Sequence, residues 1–113
     1  MAHERNSQLL NLLNNCVAEC NHCATACLEE EDVKMLTKCI KLDLDCADIC
    51  LLVAGYLARG SEHADHLLGE CAEICQKCAA ECEKHAAHGM EHCRTCAEAC
   101  KQCAEACMQM AHA

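Results

Sequence analysis

Apolar residues return every three or four positions along this chain, and on four stretches the residue that returns is cysteine. The stretch Cys93, Cys96, Cys100, Cys103, Cys107 steps by three, four, three, four. That is the spacing of the buried seam of a packed helix, where leucine normally stands. The stripe recurs as Cys16, Cys20, Cys23, Cys27 and as Cys71, Cys75, Cys78, Cys82, with a sparser copy at Cys39, Cys46, Cys50. Polar residues fill most positions between. The periodicity predicts four helices, over roughly residues 7–29, 33–58, 62–85 and 90–110. Ser7 and Asp32 suit helix N-caps, Gly60 and Gly89 suit helix ends, and Ser61 can cap the third helix. Short connections make sequence neighbours antiparallel, so the expected fold is all-α, an up-down-up-down four-helix bundle.

The stripes of such a bundle align in layers. Cys27, Cys39, Cys82 and Cys93 form the layer at the end that carries the first and third turns. Cys23, Cys78 and Cys96 follow, with Leu42 or Asp43 from the second helix. Then come Cys20, Cys46, Cys75, Cys100, and next Cys16, Cys50, Cys71, Cys103. Cys107 meets Val53, Leu12 or Leu13, and Leu67 or Leu68. A final layer holds Leu9, Leu57, Ala64 and Met110. Each step is about one helical turn, ~5 Å, and the core passes from sulfur to hydrocarbon along its length. The second helix carries another apolar stripe, Ile40, Leu44, Ala47 and Leu51, more than about 90° from its cysteines. This face is expected to meet another subunit.

Composition narrows the class. The 113 residues are expected to form a single domain, 1–113, and they contain no proline and one aromatic residue, Tyr56. A formal charge of −9 disfavours nucleic acid and anionic membrane as partners. No apolar run is long enough to span a bilayer. Met1 to Leu13 lacks the pattern of an export signal. With cysteines in strict helical register, this predicts a reducing, cytoplasmic setting with free thiols. No nucleophile turn, phosphate loop or Cys-His-Asp pattern is present, so no catalytic role is expected.

Sixteen cysteines on the seam exceed what packing asks for, since cysteine buries less apolar surface than leucine and oxidises. Thiolates select Cu(I), Zn(II) or iron–sulfur clusters. Sulfurs three or four residues apart can flank a two-coordinate Cu(I), and a four-cysteine layer can hold tetrahedral Zn(II). Charge separates the two. About four Zn(II) would leave roughly half of the buried thiolate charge uncompensated, whereas about sixteen Cu(I) would neutralise it. Cu(I) storage is therefore the leading expectation, with all the cysteines as ligands. A Zn(II) store and a thiol–disulfide redox protein using the CxxC pairs are the alternatives.

The stripes, for example Cys71-x3-Cys75-x2-Cys78-x3-Cys82, resemble those of the cysteine-rich four-helix-bundle copper storage proteins of bacteria, from about Leu9 to Met110. The resemblance implies a bundle whose inward thiols hold many Cu(I) ions, association as tetramers, and membership of the cytosolic branch. A copper donor or acceptor protein would be a further partner. This chain departs from the pattern in the second helix, where no cysteine lies between Cys39 and Cys46.

Metal is expected to enter at the end carrying Cys27, Cys39, Cys82 and Cys93. There His85 and Met90, flanked by His88 and His92, would act as transfer ligands. A rival cluster, His63, His66, Met108, Met110 and His112, lies at the hydrocarbon end.

Overall fold

The computed structural model describes residues 2–111, the side chains of 2–5 excepted. Four antiparallel helices make up the bundle: α1 (Ala2–Leu28), α2 (Thr37–Ala58), α3 (Ala64–Ala86) and α4 (Glu91–Ala111). Each packs on its two neighbours, α1 on α2 and α4, and α3 on α2 and α4, while among the described residues the diagonal helices do not approach. All four inner seams therefore face one common axis.

The ends of the elements differ in three places from the sequence reading. The first helix begins at Ala2, so Ser7 lies inside it rather than capping it. Val33–Leu36 forms a 3₁₀ turn before α2, and the Asp32 side chain makes no capping hydrogen bond. This turn drops Leu36 into the core, fully buried, and leaves Met35 outside. The third helix starts at Ala64, and Ser61 serves its start by accepting a hydrogen bond from the His63 amide at 3.2 Å. Both glycine stops hold. Gly60 (φ +70°) and Gly89 (φ +93°) take the left-handed conformation that ends a helix without a Cβ penalty.

Every cysteine is buried and free. Leu13, Val53 and Leu68 seal one end of the sulfur column with no solvent contact, and Leu9, Leu57 and Ala64 lie beyond them. The alternatives left by the periodicity thus resolve to Leu13 and Leu68. The outer stripe of α2 divides: Ala47 is buried inside the bundle, but Leu44 and Leu51 are 47% and 60% exposed. Among the described residues nothing covers Leu44 and Leu51.

Candidate metal centre

The four seams bring their sulfurs into contact across helices. Cys46 Sγ lies 3.4 Å from Cys75, 3.6 Å from Cys16 and 3.9 Å from Cys100. Cys50 Sγ lies 3.7 Å from Cys71, 3.6 Å from Cys75 and 3.8 Å from Cys103. Cys20 sits 3.6 Å from Cys100 and 3.7 Å from Cys96. At the turn end Cys39 pairs with Cys82 at 3.6 Å, and Cys93 lies 3.8 Å from Cys23 and 4.0 Å from Cys27. The expected layers are present, but contacts between layers, such as Cys16–Cys46 and Cys50–Cys75, are as short as those within them. The sulfurs form one continuous column. Several sets of four have all their ligand atoms within 4.8 Å of one another, among them Cys16, Cys20, Cys46, Cys100 and Cys50, Cys71, Cys75, Cys103.

Asp43, not Leu42, fills the gap in the second layer. Its carboxylate is fully buried, and Oδ1 accepts from Cys78 at 3.1 Å, Cys96 at 3.4 Å and Cys82 at 3.5 Å. Oδ2 lies 3.8 Å from Cys39. Burial, and then the neighbouring Cys96 and Cys39, push its pKa up to about 8. Burial and then the charge of Cys39 push the Cys27 thiol up to about 12. The Cys100 thiol is driven well above the ordinary range by its contacts with Cys16 and other sulfurs and by burial. A crowded, poorly hydrated group of thiols cannot hold many negative charges at once, so the metal-free core retains most of its protons.

The histidines at this end make different contacts. His92 Nδ1 lies 3.5 Å from Cys93, 3.6 Å from Cys23 and 3.9 Å from Cys27, and its buried Nε2 has no hydrogen-bond partner. It is the only imidazole among the described residues hydrogen-bonded to the thiols. His85 turns instead to Glu81, with Nε2 3.1 Å from Oε2. Glu81 also pairs with Lys84 and Lys38. His85 thus anchors a buried carboxylate, and Met90 packs half-buried against the core. Sequence reasoning placed His92 only beside the mouth. Its position, directly before Cys93 at the start of α4, was the available signal. At the other end His63, His66 and Met108 are exposed, and His112 lies outside the described residues.

The sequence model of the copper storage protein family matches residues 2–112. The chain belongs to this family. The Cu(I)-bound copper storage protein BsCsp3 of Bacillus subtilis superposes with a TM-score of 0.87 at 40% identity, over 94% of this chain and 97% of that one. A cytosolic copper storage protein from Streptomyces lividans, loaded with five coppers, gives a TM-score of 0.93 at 40% identity, over 99% of this chain and 96% of that one. An uncharacterised cysteine-rich protein of Bacillus subtilis is 44% identical over 62 residues, and that match spans 55% of this chain and 57% of the Bacillus protein. The two structural likenesses run over nearly the whole chain and so take in all four seams.

Proposed function

We propose that this protein stores Cu(I) at high capacity, as a single domain, with all sixteen cysteines as ligands. The observation that carries this reading is the column of buried, free sulfurs in mutual contact. Cu(I) is soft, accepts two or three thiolates and tolerates bridging, so each shared sulfur can serve two ions. About one ion per thiolate balances the charge of the interior, which is the least costly filled state for buried anions. The ions displace protons as they enter. The relatives that hold copper are built on this same bundle, which supports storage over catalysis.

His92 joins the ligand set at the turn end, because its Nδ1 faces three thiols there. Met90 is a transfer position on the same side. Leu36 and Ala86 narrow this end, yet the other is closed by the Leu13–Val53–Leu68 layer and by Leu9 and Leu57 beyond it. Copper therefore enters at the His92 end, and His85 supports it by holding Glu81. Leu44 and Leu51 are the contact through which chains associate, as tetramers. No described helix is long and apolar enough to cross a membrane. The cytosolic Streptomyces relative supports a cytoplasmic place for this chain.

Anaerobic titration of the reduced protein with Cu(I), followed to saturation, tests the reading. Saturation near sixteen ions per chain is expected from the thiolate balance, written as roughly one per sulfur. Saturation near four would overturn it.

A further inference from the structure

The spacing of the sulfurs carries a second metal chemistry. A tetrahedral centre with Zn–S bonds of about 2.3 Å has its sulfurs about 3.8 Å apart. In the set Cys16, Cys20, Cys46, Cys100, five of the six edges are 3.9, 3.6, 3.8, 3.6 and 3.9 Å, and the sixth, Cys20–Cys46, is within 4.8 Å. In Cys50, Cys71, Cys75, Cys103, the three edges from Cys50 are 3.7, 3.6 and 3.8 Å. In Cys23, Cys27, Cys39, Cys93, three edges are 3.9, 3.8 and 4.0 Å. These three sets share no residue. They leave Cys78, Cys82, Cys96 and Cys107.

Three of the four remaining thiols, Cys78, Cys82 and Cys96, converge on a single oxygen, Asp43 Oδ1, at 3.1, 3.5 and 3.4 Å. A tetrahedral centre of three sulfurs and one carboxylate oxygen, with a Zn–O bond of about 2.0 Å, sets that oxygen about 3.5 Å from each sulfur. Asp43, the one position within the four sulfur layers that is not cysteine, thus offers its oxygen to a fourth set. A carboxylate there suits a borderline divalent ion better than it suits soft Cu(I).

We propose that the copper-free protein binds four Zn(II) ions per chain. Three sit in the all-cysteine sets, and the fourth is held by Asp43, Cys78, Cys82 and Cys96. Binding replaces thiol and carboxyl protons by metal, with no change in oxidation state. Fifteen thiolates and one carboxylate carry −16, so four Zn(II) leave −8 in the interior. Cu(I) can neutralise the same core, and so it expels the zinc. Zinc then keeps the thiols metallated, and out of reach of oxidants, between copper loads.

The test uses reduced protein with the two metals separately. Metal-free protein is saturated with Zn(II) without oxygen, desalted, and its zinc counted per chain. The expected values are about four for the parent, about three for Asp43→Ala, and about four for Asp43→Cys, one ion per tetrahedral set. Excess Cu(I) should then release all of the zinc into a chromophoric chelator. With Co(II) as the probe, Asp43→Cys should raise the thiolate-to-cobalt band per ion, because a thiolate replaces the carboxylate. If Asp43→Ala fails to fold, the parent count and the cobalt band of Asp43→Cys still decide. A parent count other than four, an Asp43→Ala count equal to the parent's, or an unchanged cobalt band would overturn the proposal. Copper capacity is measured on the same preparation, so failure of zinc binding is distinguishable from failure of copper storage.

Discussion

Asp43 directs Oδ1 at the sulfur of Cys78, 3.1 Å away, from a position with no solvent contact. The metal-free protein should therefore lose stability as pH rises. The folded-state pKa of Asp43 is about 8, whereas an unfolded aspartate titrates near its ordinary value of about 3.9. Between these values the native state holds a proton that the unfolded chain has released, so each step up in pH favours unfolding. The slope from this group is at most about 1.4 kcal/mol per pH unit and ends above its folded pKa. Thermal unfolding of reduced, metal-free protein from pH 5 to 8 reads it. Asp43→Asn should flatten the profile in that window, and an unchanged slope would remove Asp43 as its source.

The two histidines of the turn end should separate by phenotype. His92→Ala removes the imidazole beside Cys23, Cys27 and Cys93 and should slow Cu(I) uptake several-fold in stopped-flow measurements, with capacity lowered by no more than about one ion. His85→Ala leaves Glu81 buried with only lysine partners and should cost about 1 kcal/mol in stability, with the uptake rate unchanged. Slow uptake in His85→Ala and normal uptake in His92→Ala would reverse these roles.

At the sealed end, Leu68→Ala opens a cavity in a fully buried layer. The loss should be about 2–5 kcal/mol in the metal-free protein, seen as a lower midpoint in urea. Copper capacity should stay at the parent value, since no sulfur is removed. A fall in capacity comparable to the loss of a cysteine layer would mean that the plug also shapes the metal column.

Leu44→Glu with Leu51→Glu places two carboxylates on the outer face of α2. Sedimentation should show smaller particles at micromolar concentration, because charge at the centre of an apolar contact opposes association. Far-UV dichroism should be unchanged, as both side chains lie outside the bundle. If the variant sediments like its parent, the chains associate through another face, or not at all.

Most of the fold was legible because one residue type marks the seam of every helix. Cysteine at three- and four-residue steps fixed which face turns inward, and the short turns then fixed the order of the layers. Asp43 was harder to place. Leu42 and Asp43 follow Cys39 by three and four residues, and both steps stay on one face. Hydrophobicity favours leucine. The pattern of the other seams decides otherwise: Cys16, Cys20, Cys23, Cys27 and Cys71, Cys75, Cys78, Cys82 step four, three, four, and Cys39, Asp43, Cys46, Cys50 repeats that rhythm. The contact of His85 with Glu81 was not legible, since Glu81 lies one turn back on the same helix and looks like any exposed acidic residue. Burial against Lys38 of α2 is a tertiary fact. The first helix ran past its expected cap because Ser7 tolerates a helix interior when nothing upstream breaks the chain.

The hydrocarbon floor of Leu13, Val53 and Leu68, with Leu9 and Leu57 beneath it, bears on what happens when the vessel is empty. Small metal domains whose only core is their ligand set collapse once stripped. Here a block of ordinary oily packing ties α1, α2 and α3 together at one end, with Met110 of α4 half-buried against the core, whatever the sulfurs hold. The scaffold can therefore be drained and refilled without dissolving and rebuilding itself each time, and folding is decoupled from cargo.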